Sequence, residues 1–147
     1  MTKASAPVAR QSDTFDDLLG YHLRRLSVLV MADLTESLAP LGLKPADASV
    51  LFVIASTPDI TQSGVGRLLG IRRANMAPLI AALISQGLID REAADGRSHA
   101  LRLSAAGQLL ARRAKQATRA HEDRLFGSLS KTARHRLIEQ LRGLWQD

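Results

Sequence analysis

Apolar residues recur at helical spacing along most of the chain and alternate with polar residues in only two short runs. Between residues 15 and 38, leucines and valines recur at steps of three and four, which predicts a long amphipathic helix. The same reasoning predicts five more helices, over residues 46–56, 62–69, 72–86, 105–129 and 132–145. Residues 88–92 and 99–103 alternate instead, and the Asp-Gly turn between them predicts a β-hairpin. The predicted fold class is therefore mainly α with one small β-hairpin.

Residues with known preferences for helix ends mark where several of these helices begin. Pro45 suits the first turn of a helix, because the N–H that it lacks would have no partner there. Thr61, Ser104 and Ser130 can each cap the following helix with a side-chain oxygen. Single residues thus predict the starts of four helices.

The helix predicted over residues 62–69 contains two glycines. Gly64 and Gly66 each cost about 1 kcal/mol of helix stability relative to alanine. We therefore expect this helix to be held by tertiary packing of Val65, Leu68 and Leu69.

Residues 62–103 place three pieces in a defined order. A short helix, a tight turn at Gly70-Ile71 and a second helix form a helix-turn-helix, which sets the second helix into a DNA major groove. The hairpin that follows is the "wing" of such a domain. We predict a winged helix-turn-helix lobe over residues 46–103.

The helices at the two ends of the chain carry more apolar positions than one small lobe can bury. We predict that residues 15–38 and 105–147 form a helical dimerisation region of a homodimer. Residues 15–147 would then be a single domain behind a flexible N-terminal arm, residues 1–14. The expected interface residues are Phe15, Leu19, Leu125, Phe126, Leu129, Leu137, Leu141, Leu144 and Trp145.

The positive charge is concentrated in the second half of the chain. The net charge is +6, yet residues 1–66 hold 5 Lys and Arg against 7 Asp and Glu, while residues 67–147 hold 15 against 7. Excess positive charge that begins at the helix-turn-helix favours a polyanionic partner. An arginine-rich face that is simply solvated is the alternative.

Several other classes of protein lack support in the sequence. The absence of cysteine excludes disulfides and thiolate metal sites, and the four histidines lack the spacing of metal ligands. No signal peptide is visible and no apolar run approaches the roughly 20 residues of a membrane span, so a cytoplasmic protein with no membrane partner is expected. No catalytic motif is found, so neither enzymatic activity nor a cofactor is expected.

Candidate DNA-binding residues cluster at the start of the second helix and in the hairpin. Arg72, Arg73 and Asn75 are of the types that reach base edges. An arginine at the hairpin tip suits a narrow minor groove, whose negative potential attracts it. The full predicted set is Thr61, Gln62, Ser63, Arg72, Arg73, Ala74, Asn75, Ala77, Pro78, Arg97, Ser98 and His99. Solvent-exposed arginines are the alternative, and the joint placement of the two arginine groups favours DNA.

The sequence resembles the MarR family of bacterial winged helix-turn-helix regulators from about Asp16 to the C-terminus. The matching segments are LGLKPADASVLFVIA, ITQSGVGRLLGIRRANMAPLIAALISQGLIDRE and ADGRSHALRLSAAG. The run from Gly87 to Arg91 and the pair Asp95 and Arg97 are the most specific parts. The resemblance implies an interlocked homodimer that binds a pseudo-palindromic operator, often represses its own promoter, and releases DNA when a small aromatic acid or thioester binds between its lobes.

The chain departs from the family pattern at three places. Gly64 stands where many relatives carry Glu, Pro78 where many carry a DNA-facing Arg, and Ala81-Ala82 where a charged pair is common. The operator preference of relatives therefore does not transfer to this chain.

The N-terminal helix carries the candidate effector residues. The segments LGYHLRR at 19–25 and RANM at 73–76 resemble regulators of aromatic-acid catabolism that sense aryl-CoA thioesters. Tyr21, His22 and Arg25 place polar groups on this otherwise apolar helix, as small-molecule pockets require. We predict the effector site between this helix, residues 46–56 and the start of residues 105–129. The alternative is that the three residues serve the dimer interface or solvent.

The expected function is thus a ligand-responsive, dimeric regulator of transcription that binds double-stranded DNA, most simply a repressor. Two other functions remain open: a ligand-independent architectural DNA binder, and a winged-helix module for protein–protein interaction, since Pro78 and the alanines make the recognition surface apolar.

Overall fold

The computed structural model describes residues 15–93 and 99–146, which form a helical protein with one hairpin. Within these residues the elements are α1 (Leu19–Leu38), a 3-10 turn (Ala39–Leu41), α2 (Pro45–Ser56), α3 (Gln62–Leu69), α4 (Arg73–Ser85), β1 (Ile89–Ala93), β2 (His99–Leu103), α5 (Ala105–Phe126) and α6 (Lys131–Arg142). The predicted fold class is confirmed. The predicted N-terminal arm, residues 1–14, lies outside the described residues.

Two terminal helices are shorter than predicted. Helix α1 begins at Leu19 rather than Phe15, because the Leu18 N–H closes a turn onto the Phe15 carbonyl at 3.1 Å before the helical ladder starts. Helix α5 ends at Phe126, and the Leu129 N–H bonds back to the Phe126 carbonyl at 3.0 Å in a tight turn. Phe15 and Leu129 therefore lie outside the helices.

Helix α6 ends at Arg142 rather than at Trp145. The Gly143 N–H makes the last bond of the helix, to the Glu139 carbonyl at 3.1 Å. Leu144 and Trp145 follow in a turn. Both remain exposed apolar residues, but neither is helical.

The predicted caps are confirmed. The side-chain oxygen of Thr61 accepts the Gly64 N–H at 3.2 Å, that of Ser104 accepts the Gly107 N–H at 3.0 Å, and that of Ser130 accepts the Ala133 N–H at 3.1 Å. Helix α2 begins at Pro45. These bonds satisfy N–H groups that a helix start leaves free.

A close turn joins α3 to α4. Gly70 adopts a left-handed backbone conformation with φ +64°, and the Ile71 N–H bonds back to the Gly66 carbonyl at 2.9 Å. A Cβ on Gly66 would lie 3.1 Å from the Ile71 carbonyl oxygen, so glycine permits this approach. Val65 is buried as predicted, but the prediction that Leu68 packs inward is wrong, because this residue is 64% exposed.

The wing is attached to the residues that precede α3. Strands β1 and β2 pair antiparallel, with Arg91 opposite Leu101. The Leu101 N–H also bonds to the Ile60 carbonyl at 2.9 Å, and Thr61 bridges to Ala100. The wing strand and the start of α3 therefore hold a defined relative position.

One apolar core connects these elements from the end of α1 to the middle of α5. Its largest fully buried apolar side chains are Leu38, Val50, Leu51, Val65, Met76, Ile80, Leu83, Ile89 and Leu101. They come from α1, all three helices of the lobe and both strands, so the lobe is packed as a unit against the α1–α5 layer.

A polar cluster joins α1 to α5. His121 is 1% exposed, and its Nδ1 lies 2.5 Å from the Asp33 carboxylate. Arg124 donates to the same carboxylate oxygen and to the Ser37 hydroxyl, both at 2.7 Å. The hydrogen bond with His121, together with Arg124, lowers the pKa of Asp33. This carboxylate therefore stays charged and orders the distal halves of both helices.

The first turn of α5 rests directly on the backbone that follows α4. The Ser104 N–H bonds to the Leu88 carbonyl at 3.1 Å, and the Ser104 hydroxyl donates to the Gly87 carbonyl at 2.6 Å. A Cβ on Gly107 would lie only 2.0 Å from the Leu88 carbonyl oxygen. Only glycine lets the helix approach the chain so closely here.

Gly107→Ala should destabilise the protein by about 1–3 kcal/mol, because the added methyl group forces the helix start away from Leu88. Gly20→Ala is the control, since a Cβ at Gly20 meets nothing within 4 Å. It should leave the free energy of unfolding unchanged or raise it by up to about 1 kcal/mol. Urea unfolding at one protein concentration measures both. Equal stability of Gly107→Ala and wild type would contradict the close contact.

Candidate nucleic-acid interface and effector cleft

A groove runs between the N-terminal ends of α3 and α4 and the wing. It consists of two adjoining cavities of about 310 and 270 Å³ that share Gln62, Ser63 and Arg73. The first cavity is also lined by Thr61, Arg91, His99 and Leu101, and the second by Gly66, Arg67, Ile71 and Met76. The groove thus brings together residues from both helices and from both strands.

The groove is electropositive. Arg67, Arg73 and Arg91 line it, and none of the described residues that line it is acidic. The first turn of α3 adds backbone N–H groups near Gln62 and Ser63, where the helix dipole favours an anion. An extended polyanion fits this chemistry.

The predicted residues of α4 lie on its exposed face. Met76 and Ile80 are buried against the core on the other side of the helix. Arg73 lines the groove, while Arg72 precedes the first turn. The exposed predicted residues are Arg72, Arg73, Ala74, Asn75, Ala77 and Pro78. Pro78 lies inside the helix, where the Ala74 carbonyl has no i+4 donor. The exposed face is therefore polar at its start and small and apolar in its middle.

The predicted residues of the wing are only partly described. His99 is exposed and lines the groove beside Arg91. Arg97 and Ser98 lie outside the described residues. Their role in DNA binding stays a prediction.

Two arginines of the groove are absent from the predicted set. Arg91 donates to the Gln62 side-chain oxygen at 3.3 Å. Its position carried a signal, because strand alternation puts it on the same side as buried Ile89. Arg67 follows Ser63 by four residues in α3, so the two share a helix face.

A larger cleft of about 830 Å³ lies between α2, β2 and the first half of α5. Its wall contains Phe52, Ile54, Ala55, Ser56, Pro58, Asp59, Leu101, Arg102, Leu103, Gln108, Ala111, Arg112 and Lys115. An apolar floor with a few cationic groups is the usual form of a site for an organic anion. The cleft lies between two of the three elements where the effector site is predicted.

Helix α1 does not reach this cleft. Tyr21, His22 and Arg25 are not among its lining residues. The Tyr21 ring stacks on Phe15 with ring centroids 5.1 Å apart, and His22 Nε2 donates to the Asp16 carbonyl at 2.8 Å. Their role in effector binding therefore stays a prediction, and it does not rest on this cleft.

The ends of the chain expose a large amount of apolar surface, which we call the terminal surface. Among the predicted dimer residues, Phe15, Leu19, Leu129, Leu137, Leu144 and Trp145 are exposed, and Leu125, Phe126 and Leu141 are half-buried. Trp145, which is 69% exposed, is the most exposed of them. Exposed apolar patches of this kind mark interfaces.

Two other kinds of feature were sought in the described part of the chain. No single helix there is both long and apolar enough to cross a membrane; only two bent pairs, Leu19–Leu41 with Pro45–Ser56 and Gln62–Leu69 with Arg73–Ser85, pass on length and composition. No group of three His, Asp or Glu side chains there is arranged to hold a metal ion.

Comparison with known proteins identifies close structural relatives. Residues 41–98 match the sequence profile of the MarR family. A transcriptional repressor, CouR, bound to a 23-mer DNA duplex is 36% identical, with 86% of this chain and 92% of that chain covered and a TM-score of 0.81. CouR bound to p-coumaroyl-CoA is 32% identical, with 91% and 96% covered and a TM-score of 0.81. The MarR family protein Rv2887 of Mycobacterium tuberculosis, in complex with salicylic acid, is 27% identical, with 88% and 97% covered and a TM-score of 0.70.

Proposed function

This chain belongs to the MarR family of transcriptional regulators, and on that premise we propose that it is a homodimeric repressor that binds double-stranded DNA and is released by an aromatic acid or its CoA thioester. The observation that carries the proposal is the electropositive groove, in which Arg67, Arg73 and Arg91 surround the start of α3. A 36% identical repressor is known bound to a DNA duplex.

DNA binding in this proposal relies on phosphate contacts more than on bases read by the middle of α4. Ala74, Ala77 and Pro78 have no side-chain hydrogen-bonding group and can at most touch thymine methyl groups. Base readout is left to Arg72, Arg73 and Asn75 at the start of the helix, and to the wing. Arg67 and Arg91 would hold phosphates on either side.

The terminal surface would form the dimer. We assign residues 15–38 and 105–147 to dimerisation and residues 46–103 to DNA binding. A two-fold dimer presents two lobes to one face of a duplex, about one helical turn or 34–36 Å apart. A pseudo-palindromic operator is the DNA that matches such symmetry.

The cleft between α2, β2 and α5 would take the effector. Arg102, Arg112 and Lys115 line it, and Arg119 continues the same face of α5 one turn beyond Lys115. Cationic side chains spaced along one face of α5 suit a ligand that carries several anionic groups, as a CoA thioester does. Relatives bind p-coumaroyl-CoA and salicylic acid.

Release requires that the effector prefer a dimer whose lobes do not match the operator. A loss of about 100-fold in operator affinity corresponds to about 2.7 kcal/mol of such preference. The cleft is suited to this because it borders both the lobe and α5.

The groove should bind an operator selected from random-sequence DNA. Arg91→Ala should weaken binding to every sequence and reduce the salt slope by about 1, because it removes a phosphate contact. Arg73→Ala should cost about 1–3 kcal/mol and relax base preference at one position per half-site. Fluorescence anisotropy at several salt concentrations measures both. Arg113→Ala, an exposed arginine of α5 outside the groove, is the control.

Unchanged affinity in both Arg73→Ala and Arg91→Ala would remove the groove from DNA binding. No salt-dependent binding to any duplex by the wild type would favour a protein-interaction module. Binding without sequence preference and without release would favour an architectural DNA binder.

The protein should be a dimer at micromolar concentration. Leu137→Asp should yield monomers, because it places a charge in the terminal surface, whereas Leu68→Asp changes a more exposed leucine of α3, outside that surface, and should stay dimeric. Light scattering gives both masses. A wild-type monomer would overturn the dimer and the palindromic operator together.

Aromatic acids or their CoA thioesters should release the operator. Salicylic acid and p-coumaroyl-CoA are the first probes to titrate against the complex. Arg112→Ala should raise the concentration needed for release, because it removes a cation from the cleft wall. Arg25→Ala tests the role predicted for α1: an equal loss there would support Arg25 as an effector residue. Failure of both compound classes to release wild-type protein would refute the effector proposal.

A further inference from the structure

One ion pair joins the wing to the turn between α2 and α3. Arg102, on β2, donates to one Asp59 carboxylate oxygen from both Nη2, at 2.7 Å, and Nε, at 3.2 Å. Arg102 Nε also lies 3.2 Å from the carboxylate of Glu92 on β1. The Arg102 side chain therefore connects three segments of the lobe.

Asp59 is held in position for this contact by the backbone. Its φ of +58° lies in the left-handed region, which Asp tolerates better than most residues. The carbonyl of the next residue, Ile60, accepts the Leu101 N–H at 2.9 Å. The turn is therefore hydrogen-bonded to the residue directly before Arg102. Thr61, the cap of α3, follows directly.

The same two residues line the large cleft. Asp59 is the one acidic residue among the described residues of its wall, beside the cations Arg102, Arg112 and Lys115. An anionic group that enters the cleft is attracted by Arg102 and repelled by the carboxylate already bound to it. The two anions compete for one guanidinium.

We propose that the Arg102–Asp59 pair couples the effector cleft to the DNA-binding surface: the anionic group of a bound effector displaces Asp59 from Arg102, which removes the side-chain contact between the wing and the turn before α3 and leaves only backbone bonds to hold the two in position. This inference rests on the proposed function and assigns the coupling to two positioning residues. Asp59 precedes the cap of α3 by two residues, and Arg102 lies on the strand that carries His99. Both can therefore affect the groove through their own segments without touching DNA.

The Arg102–Asp59 pair is suited to exchange of the Asp59 carboxylate for another anion. Its side chains are 54% and 60% exposed, so water and ligands reach both. Exposed ion pairs contribute little net stability. Asp59 and Glu92 raise the pKa of Arg102, which therefore remains a cation for either partner. A weak contact between well-placed backbones can be broken by an effector of modest affinity.

Asp59→Asn tests the proposal, because Asn tolerates the left-handed conformation and removes only the charge. Without effector, operator affinity should fall by about 2- to 5-fold, the range expected for one exposed pair. Affinity for p-coumaroyl-CoA should rise by a similar factor, since the competing anion is gone. If Asp59 acted only through its charge, Asp59→Asn would instead raise operator affinity, because removing a negative charge favours binding of a polyanion.

Two further variants separate coupling from ligand binding. Arg102→Gln should weaken both operator and p-coumaroyl-CoA binding, because it removes the shared cation. Arg112→Gln is the matched control: Arg112 is a cation of the same cleft, and the described ion pairs of the wing strands are made by Arg102 and not by Arg112. Arg112→Gln should weaken p-coumaroyl-CoA binding. The ratio of operator affinity without effector to operator affinity with saturating effector should stay as in wild type. That ratio should shrink in Asp59→Asn and Arg102→Gln.

Operator binding is measured by anisotropy, effector binding by calorimetry, and folding of each variant by circular dichroism. Asp59→Asn that binds the operator as tightly as wild type, or keeps the full affinity ratio, overturns the coupling role. If wild type binds no DNA, the proposed function fails. Calorimetry still tests whether Asp59 and the effector compete for Arg102. Unchanged p-coumaroyl-CoA affinity in Asp59→Asn would then overturn that competition. If p-coumaroyl-CoA does not bind wild type, the DNA measurement alone decides.

Discussion

The contact between Gly107 and the Leu88 carbonyl is the constraint on which the rest of the arrangement depends. Helix α5 starts where α4 and the wing meet, and the Ser104 bonds to Gly87 and Leu88 hold it there. Farther along, α5 packs on α1 and orders the polar cluster around Asp33. Any reorientation of the lobe is therefore transmitted to α5, and through α5 to the ends of the chain.

Most of the fold could be predicted because local signals and the apolar pattern agree. Thr61, Ser104 and Ser130 cap helices as expected, and α3 and β2 have the predicted bounds. The terminal helices were predicted too long, because apolar residues such as Leu129 and Trp145 continue the helical spacing after the hydrogen-bond ladder has ended. Periodicity reports which side chains seek burial, and it does not report where the backbone turns.

The site could be predicted only where it is local in sequence. The start of α4 and the first turn of α3 were predicted because cap and charge signals lie together there, and Gln62, Ser63 and Arg73 line the candidate groove. Arg91 was missed because its place in the groove depends on a hydrogen bond to Gln62, 29 positions away. Tyr21, His22 and Arg25 were predicted as effector residues from residue type and from the resemblance of residues 19–25, and none of them lines the large cleft. Long-range proximity is thus what the sequence pattern lacked.

The two candidate sites share one strand, which under the proposed function would let a ligand in the cleft act on the groove. One face of β2 gives His99 and Leu101 to the groove, while Leu101, Arg102 and Leu103 line the cleft. The strand is paired to β1 on one side and bonded to Ile60 on the other. A ligand that moves β2 by a fraction of an ångström therefore acts on both neighbours at once. The bond from Leu101 to Ile60 and the bridge from Ala100 to Thr61 are the contacts through which such a displacement would reach the start of α3.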